Sequence, residues 1–265
     1  MIDGRWRTAY ASVVGTSHIK TSSPCQDAGG CVVVAAPDDS EILVAAVSDG
    51  AGTACRSEAG SALAVGRFLN EFAEAARADP QLSSIDRGFV DRWLVSFRDQ
   101  IAEMAETEGQ RIRDYACTLL GAVIGPHRSA YLQIGDGAII VAGEEAGEYN
   151  WIFWPQHGEY ANSTYFLTQD DAAEALLFET GPPVHEIALF SDGIERLVLD
   201  LSTKIVHSPA FSPIFQWLAS TNPDESTNPS PALATYLASD HVNSRTDDDK
   251  TLVMATRARA SMAAS

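Results

Sequence analysis

The chain is predicted to fold as an α+β domain, and three observations in its 265 residues predict this. Val-, Ile- and Ala-rich runs of strand length occur near both ends and through the middle. Two long stretches of helical periodicity lie back to back between them. Four further strand-like runs between Cys117 and Trp154 are divided only by short turns, Gly125-Pro126-His127, Gly135-Asp136-Gly137 and Gly143–Gly147, as in an antiparallel meander. Strands grouped with strands and helices with helices favour α+β over the alternation of a Rossmann-like sheet. No break in composition separates two units, so residues 1–265 are expected to form one domain.

Arg5–Val14 alternates weakly and predicts a first strand, followed by a polar loop over Gly15–Pro24. Cys31–Ala36 and Ile42–Val47, separated by Pro37-Asp38-Asp39-Ser40, predict a β-hairpin. From Ser57 to Arg77, Leu63, Phe68, Leu69, Phe72 and Ala76 recur at the spacing of an amphipathic helix, which Asp79-Pro80 ends. A second helix over Ser84 to Glu108 gathers Phe89, Trp93, Leu94, Phe97, Ile101 and Met104 on one face. Phe68, Phe72, Trp93 and Phe97 are expected to pack between these helices and a sheet. The meander strands are Cys117–Ile124, Ser129–Ile134, Ala138–Ala142 and Tyr149–Trp154. Pro155–Thr164, with His157 and Asn162, is a polar connection. Tyr165–Thr168 and His185–Phe190 add strands, Pro209–Ala219 and Pro231–Ser239 add helices around a polar loop at Thr221–Pro229, and Lys250–Thr256 closes the chain's strands.

The charge is lopsided: 18 Lys and Arg against 36 Asp and Glu give a net −18. Nucleic acids and anionic membranes are bound by clustered Lys and Arg, so this balance argues against both as partners. It suits a chain that commits some carboxylates to divalent cations. No apolar run approaches the roughly 18–20 residues of a membrane span, and MIDGRWRTAY lacks the apolar centre of a secretory signal. Cys25, Cys31, Cys55 and Cys117 show no zinc-site spacing and are expected to be reduced thiols, which places the chain in the cytoplasm.

The chemistry lies in a repeated phrase. Apolar runs end in Ser-Asp-Gly at Ile42–Gly50 and Ile187–Gly193, and a third, Ala130–Gly137, ends in Gly-Asp-Gly. Each places a carboxylate where a strand gives way to a Gly turn. Asp before Gly is most often a turn former, so one such phrase alone is an ordinary junction. Three of them, with Asp247–Asp249 at the entrance to the last strand, point to a hard-cation site.

Read in order, the chain carries Gln26-Asp27 in the first loop, Ser48-Asp49-Gly50-Ala51-Gly52 after a strand and Cys117-Thr118 opening a strand. Gly135-Asp136-Gly137, Ser191-Asp192-Gly193 and Asp248-Asp249-Lys250-Thr251 follow. This ordered set resembles the metal-dependent protein phosphatase 2C family in its compact bacterial form, across nearly the whole chain. The resemblance implies a four-layer sandwich, two antiparallel sheets flanked by helices, with Mn²⁺ or Mg²⁺ at one end. It implies two ions, sharing a bridging carboxylate and a bridging water, with a third position nearby. Asp49 would be the bridging ligand, and Gly50 would offer its carbonyl. Asp192 and Asp248 would complete the first ion, Asp27 would help hold the second, and Asp136 would lie at the third. Asp248 is preferred over Asp247 and Asp249 because the family's ligand stands three residues before the Thr, here Thr251. Glu195 is expected to be a helix-start acid.

The expected activity is hydrolysis of phosphoserine or phosphothreonine in a protein, Asp49 and Asp192 being the central catalytic carboxylates and the chain acting as a monomer, opposed by a Ser/Thr kinase. Two departures stand out. Many family members carry a phosphate-gripping Arg five residues before the first-loop Asp, where this chain has Ser22; His18, Lys20 and Arg56 are the candidate substitutes. The better-studied eukaryotic members carry a His after the first Asp-Gly, where this chain has Ala51. Those losses support one rival, a pseudophosphatase that binds a phosphoprotein or kinase without turnover. The same residues are compatible with a small-molecule phosphatase of like chemistry, and less so with a protein holding only structural Ca²⁺.

Overall fold

A computed structural model describes residues 4–145, 147–156, 164–222 and 228–258. His157 and Asn162, and most of the Thr221–Pro229 loop, lie outside these residues.

The apolar strands are continuous in sequence because both of their faces are covered. In β3 (Glu41–Ser48), Leu43, Ala45 and Val47 face one apolar cluster while Ile42, Val44 and Ala46 face another. β1 (Arg7–Val13), a short helix α1 (Thr16–Thr21) and β2 (Ala28–Ala35) precede it. β3 leads into α2 (Ser57–Ala78) and α3 (Arg87–Glu108), then a 3-10 turn at Ile112–Tyr115. β4 (Leu119–Ile124), β5 (Ser129–Ile134), β6 (Ala138–Ala142) and β7 (Tyr149–Trp151) form the meander. After α4 (Ala172–Ala175) come β8 (Leu177–Gly181), β9 (Glu186–Phe190) and α5 (Asp192–Val198). The small ribbon β10 (Leu199–Asp200) and β11 (Ile205–Val206), helices α6 (Ser208–Ser220), α7 (Ser230–Leu237) and α8 (Asp240–Asn243), and β12 (Lys250–Thr256) complete the order.

Two five-stranded antiparallel sheets result, β1-β12-β9-β6-β7 and β2-β3-β4-β5-β8. Between them lie Leu43, Val47, Leu120 and Ala122 from one sheet and Ile139, Ile187, Leu189 and Val253 from the other. α2 and α3 cover the outer face of the β3 sheet through Phe68, Phe72, Trp93 and Phe97. α6 and α7 cover the outer face of the other through Phe211, Phe215, Leu233 and Leu237. The predicted α+β class and the four-layer sandwich are both present. At the end where β3 begins and β12 finishes, the Trp6 amide donates to Glu41 Oε2 at 2.6 Å and the Arg257 guanidinium lies 4.5 Å from the Trp6 ring centroid.

Four expectations are corrected. The Gly15–Pro24 loop contains α1, a six-residue helix with no buried side chain and so no apolar periodicity to reveal it. Tyr165–Thr168 is not a strand: Leu167 is fully buried against the α2–α3 core and its amide donates to Cys117 O at 2.9 Å. The sheet edge is instead taken by β8, paired with β5 from Leu177 against Gln133 to Gly181 against Ser129. The expected seventh strand stops at Trp151 rather than Trp154.

Phe68 is fully buried, stacked on Phe72 at 3.9 Å between centroids and edge-on to Trp93 at 6.2 Å. Phe68→Ala should cost about 3–5 kcal/mol of folding free energy through lost burial and the cavity left behind. A denaturant unfolding curve measures this, with the loss visible as a lower midpoint at unchanged slope.

Candidate metal centre

Each carboxylate of the repeated phrase is placed by backbone that its neighbours fix. At the end of β3, the Asp49 amide donates to Thr118 Oγ1 at 2.9 Å and the Thr118 amide donates to Asp49 O at 2.8 Å. Ser48 Oγ donates to Thr118 O at 2.6 Å, so the exit of β3 is clamped to the entrance of β4. Asp136 sits in the β5–β6 turn, where Gly135 takes φ +116°, a conformation that glycine adopts without strain. Asp192 opens α5 directly after β9. Gly193 follows it because a Cβ there would lie 1.8 Å from Asp249 O, so only glycine lets α5 start against the entrance to β12.

These three elements bring carboxylate oxygens of Asp49, Asp136 and Asp192 within 4.8 Å of one another. They line a cavity of about 170 Å³ that also includes Gly50, Asp248, Gln26 and His18. Asp27 lies beside it: its Oδ2 accepts from Ser191 Oγ at 2.7 Å, and Ser191 Oγ in turn accepts from the Thr251 amide at 3.0 Å. The other oxygen, Asp27 Oδ1, and Gln26 Oε1 are buried without a hydrogen-bond partner among the described residues. No Lys or Arg lines the cavity among the described residues. Clustered carboxylates and two orphaned buried oxygens, on a wall without Lys or Arg, make a donor set that fits Mg²⁺ or Mn²⁺, which prefer oxygen ligands.

Asp249 has a different task. Its Oδ1 accepts from the Gly15 amide at 2.6 Å, and its Oδ2 accepts from the Gln26 amide at 2.6 Å and meets His18 Nδ1 at 2.9 Å. It is 3 % exposed, an anchor for the first loop rather than a solvated neighbour. Asp248 has its Oδ1 on the Asp249 amide at 2.9 Å and faces the cavity. Asp247 contributes backbone, its carbonyl accepting from the Ser17 amide and hydroxyl at 2.9 and 2.7 Å.

Of the candidate phosphate-gripping groups, His18 reaches the cavity wall. Arg56, at the start of α2, instead pairs with Glu108, its Nε 2.9 Å from Glu108 Oε2. Lys20 is in the last turn of α1, and neither it nor Arg56 lines the cavity. Glu195 does occupy the first turn of α5, but it is 6 % exposed, so it is more than a surface helix-start acid. Only its place three residues after Asp192, nearly one helical turn on, hinted at this.

Burial and mutual repulsion hold these carboxyls above the usual range. Burial pushes Asp27 up to about 7, with Asp249 and Asp192 adding repulsion. Asp136 rises to about 6 through burial and then Asp192, and Glu195 to about 7 from the same two causes. Asp49 is pushed well up by burial, then by Asp27 and Asp192.

The family model for protein phosphatase 2C matches residues 14–238. The chain belongs to the protein phosphatase 2C family. Serine/threonine-protein phosphatase 3 of Escherichia coli (strain K12) is 35% identical over 251 residues, covering 94% of this chain and 98% of that protein. PppA of Pseudomonas aeruginosa superposes with a TM-score of 0.64 at 16% identity, covering 97% of this chain and 100% of that one. Stp1 of Staphylococcus aureus does so at 0.60 and 13%, covering 97% of each. A phosphatase 2C of Toxoplasma gondii does so at 0.63 and 14%, covering 97% and 98%. At such low identity these structures show a shared fold.

Carboxyls raised in the folded chain keep protons that the unfolded chain has already released. That contribution favours folding in acid and is lost as pH rises through the raised values. In EDTA, the melting temperature should be highest near about pH 5 and fall toward about pH 8, as Asp136 deprotonates near about 6 and Asp27 and Glu195 near about 7. Thermal melts across this range measure it, and a rise toward pH 8 would contradict it.

Proposed function

We propose that this family member is a metal-dependent protein serine/threonine phosphatase. The observation that carries the reading is the convergence of Asp49, Asp136 and Asp192 within 4.8 Å around one cavity, with Asp248 on its wall and Asp27 beside it. Asp49, the Gly50 carbonyl, Asp192 and Asp248 would hold one Mn²⁺ or Mg²⁺, Asp49 and Asp27 a second, and Asp136 a weaker third. Bound there, the ions supply an activated water and offset the negative charge of the phosphoryl group.

The chain's own residues do the rest. Thr118 and Ser48 fix the backbone that presents Asp49. Ser191 and Thr251 orient Asp27. Asp249 ties the first loop to the β12 entrance and holds His18 at the cavity wall. Ser22 lies at the C-cap of α1 and offers a hydroxyl where many relatives carry a guanidinium. Ala51 lines the cavity without a titratable group. Loss of an acid at that position would slow esters of poorly acidic alcohols, Ser and Thr included, more than aryl esters, a positioned acid being worth about 10²–10⁴-fold. The 35% identity to a serine/threonine-protein phosphatase supports a phosphoprotein substrate, and a Ser/Thr kinase is the enzyme class that would supply it. A non-hydrolysing binding module finds no support in a site whose carboxylates are all in place. Among the described residues no helix is long and apolar enough to cross a membrane.

Purified protein should hydrolyse p-nitrophenyl phosphate with Mn²⁺ or Mg²⁺ and not in EDTA. Asp49→Asn should lower that rate by more than about 10²-fold, since even outer-shell changes at metal sites cost 10–100-fold. The variant should stay folded and lose the Mn²⁺-induced rise in melting temperature, a rise worth about 2.7 kcal/mol at a hundredfold excess over the dissociation constant. Full turnover by folded Asp49→Asn would overturn the mechanism.

A further inference from the structure

A groove of about 1220 Å³ opens beside the acidic cavity and is continuous with it, Ala51, Thr164 and Phe166 lining both. Its remaining walls come from the loop between β3 and α2, from the 3-10 turn after α3 and from the chain between Tyr165 and α4. Sites for small molecules run to about 300–1,000 Å³. A volume above that range, joined to a cavity that one phosphorylated side chain would fill, matches several residues of an extended polypeptide. Ile112, 38 % exposed, and the half-buried Tyr165 and Phe166 supply apolar surface for such a segment.

The groove's charges are unevenly satisfied. Arg111 is closed on Asp114 at 2.8 Å, and Asp170 is met by Arg98 at 3.0 Å. Arg113 makes no direct ion pair and no side-chain hydrogen bond among the described residues, its charge reaching Asp114 only at longer range behind Arg111, and Asp171 has no direct partner either. The two differ in their distance along the chain from the cavity. Arg113 is three residues from Ala116, whose carbonyl accepts the Ala51 amide at 2.9 Å. At about 2 Å of rise per residue, a 3-10 turn keeps that separation to roughly 6 Å. Asp171 lies five residues beyond Phe166, at the far end of its segment. On a chain of net charge −18, a guanidinium without a direct ion pair beside the acidic cavity is a local exception.

We propose that the groove binds the polypeptide flanking the phosphorylated residue, and that Arg113 selects substrates carrying an acidic side chain next to that residue. This rests on the phosphatase reading and adds a substrate class to it. Arg113 would act as a specificity residue through a charge-assisted hydrogen bond to a carboxylate, leaving the reacting atoms to the metal centre.

The test uses the full chain with Mn²⁺ and phosphothreonine peptides that differ at one flanking position, Glu, Gln or Lys, scanned on both sides. On one side Glu should exceed Gln by roughly 1.5- to fivefold in kcat/KM, the range of an exposed charge pair. The difference should sit in KM and fade between about 0.1 M and 1 M salt, as the Debye length falls from about 10 to 3 Å. R113K should keep the preference and R113E should turn it toward Lys. A flat series in the wild type, or an unaltered Glu preference in folded R113E, overturns the inference. Hydrolysis of p-nitrophenyl phosphate by the wild type separates the two failures. Turnover there with a flat peptide series removes the groove's role alone, and no turnover on either removes the phosphatase reading as well.

Discussion

Like charge confined at close range is the constraint on which this structure depends. Two carboxylates about 5 Å apart repel by roughly 3 kcal/mol at an effective dielectric constant of about 20, and here three meet within 4.8 Å with two more close by. With the carboxyls ionised nothing inside the cluster favours this arrangement, so the scaffold around it must impose it. It does so with backbone: the β3 and β4 ends clamped through Thr118, the Gly135 turn, and the glycine that lets α5 open against the β12 entrance. The paired sheets are what give those strand ends a fixed separation.

The division of labour among the acids follows from the same constraint. Asp249 faces backbone amides and an imidazole, so its charge is satisfied by the chain itself and is spent on architecture. Asp49, Asp136 and Asp192 meet mostly each other. Asp27 is intermediate, with one oxygen held by Ser191 and one left without a donor. The acids that the fold satisfies hold the loops, and the acids that it leaves unsatisfied face the cavity.

Much of this was legible in the sequence, for identifiable reasons. Strands covered on both faces are mostly apolar along their length, so β3, β9 and β12 stand out as runs that lead into an Asp or follow one, and β4 as an unbroken apolar run. α2 and α3 bury one face each and carry the matching period. β8 was not legible because LFETG is an edge strand with mixed, half-exposed positions. Leu167 misled in the other direction, a short apolar run that plugs the core without joining a ladder. The letters Asp247-Asp248-Asp249 cannot say which carboxylate turns inward to amides and which faces the cavity, since that depends on alternation at a strand entrance meeting a loop far away in sequence. Arg113 was invisible for a related reason: that Asp114 closes on Arg111 and leaves it without a direct ion pair depends on side-chain placement in the turn.

The two ends of the sandwich are finished differently. Where β3 begins and β12 finishes, Glu41, Trp6 and Arg257 bring opposite charges and an aromatic face together, and the end closes on its own. Where β3 finishes and β12 begins, carboxylates predominate: Asp49 comes from one sheet, Asp192 and Asp248 from the other, and Asp136 from the turn that crosses between them, with Lys250 buried behind them. A cation held there is a clasp between the sheets as much as a reagent. Its loss would leave carboxylates of the two sheets facing one another at one end while the other end stayed latched, so that metal occupancy would bear on how firmly the sheets meet there.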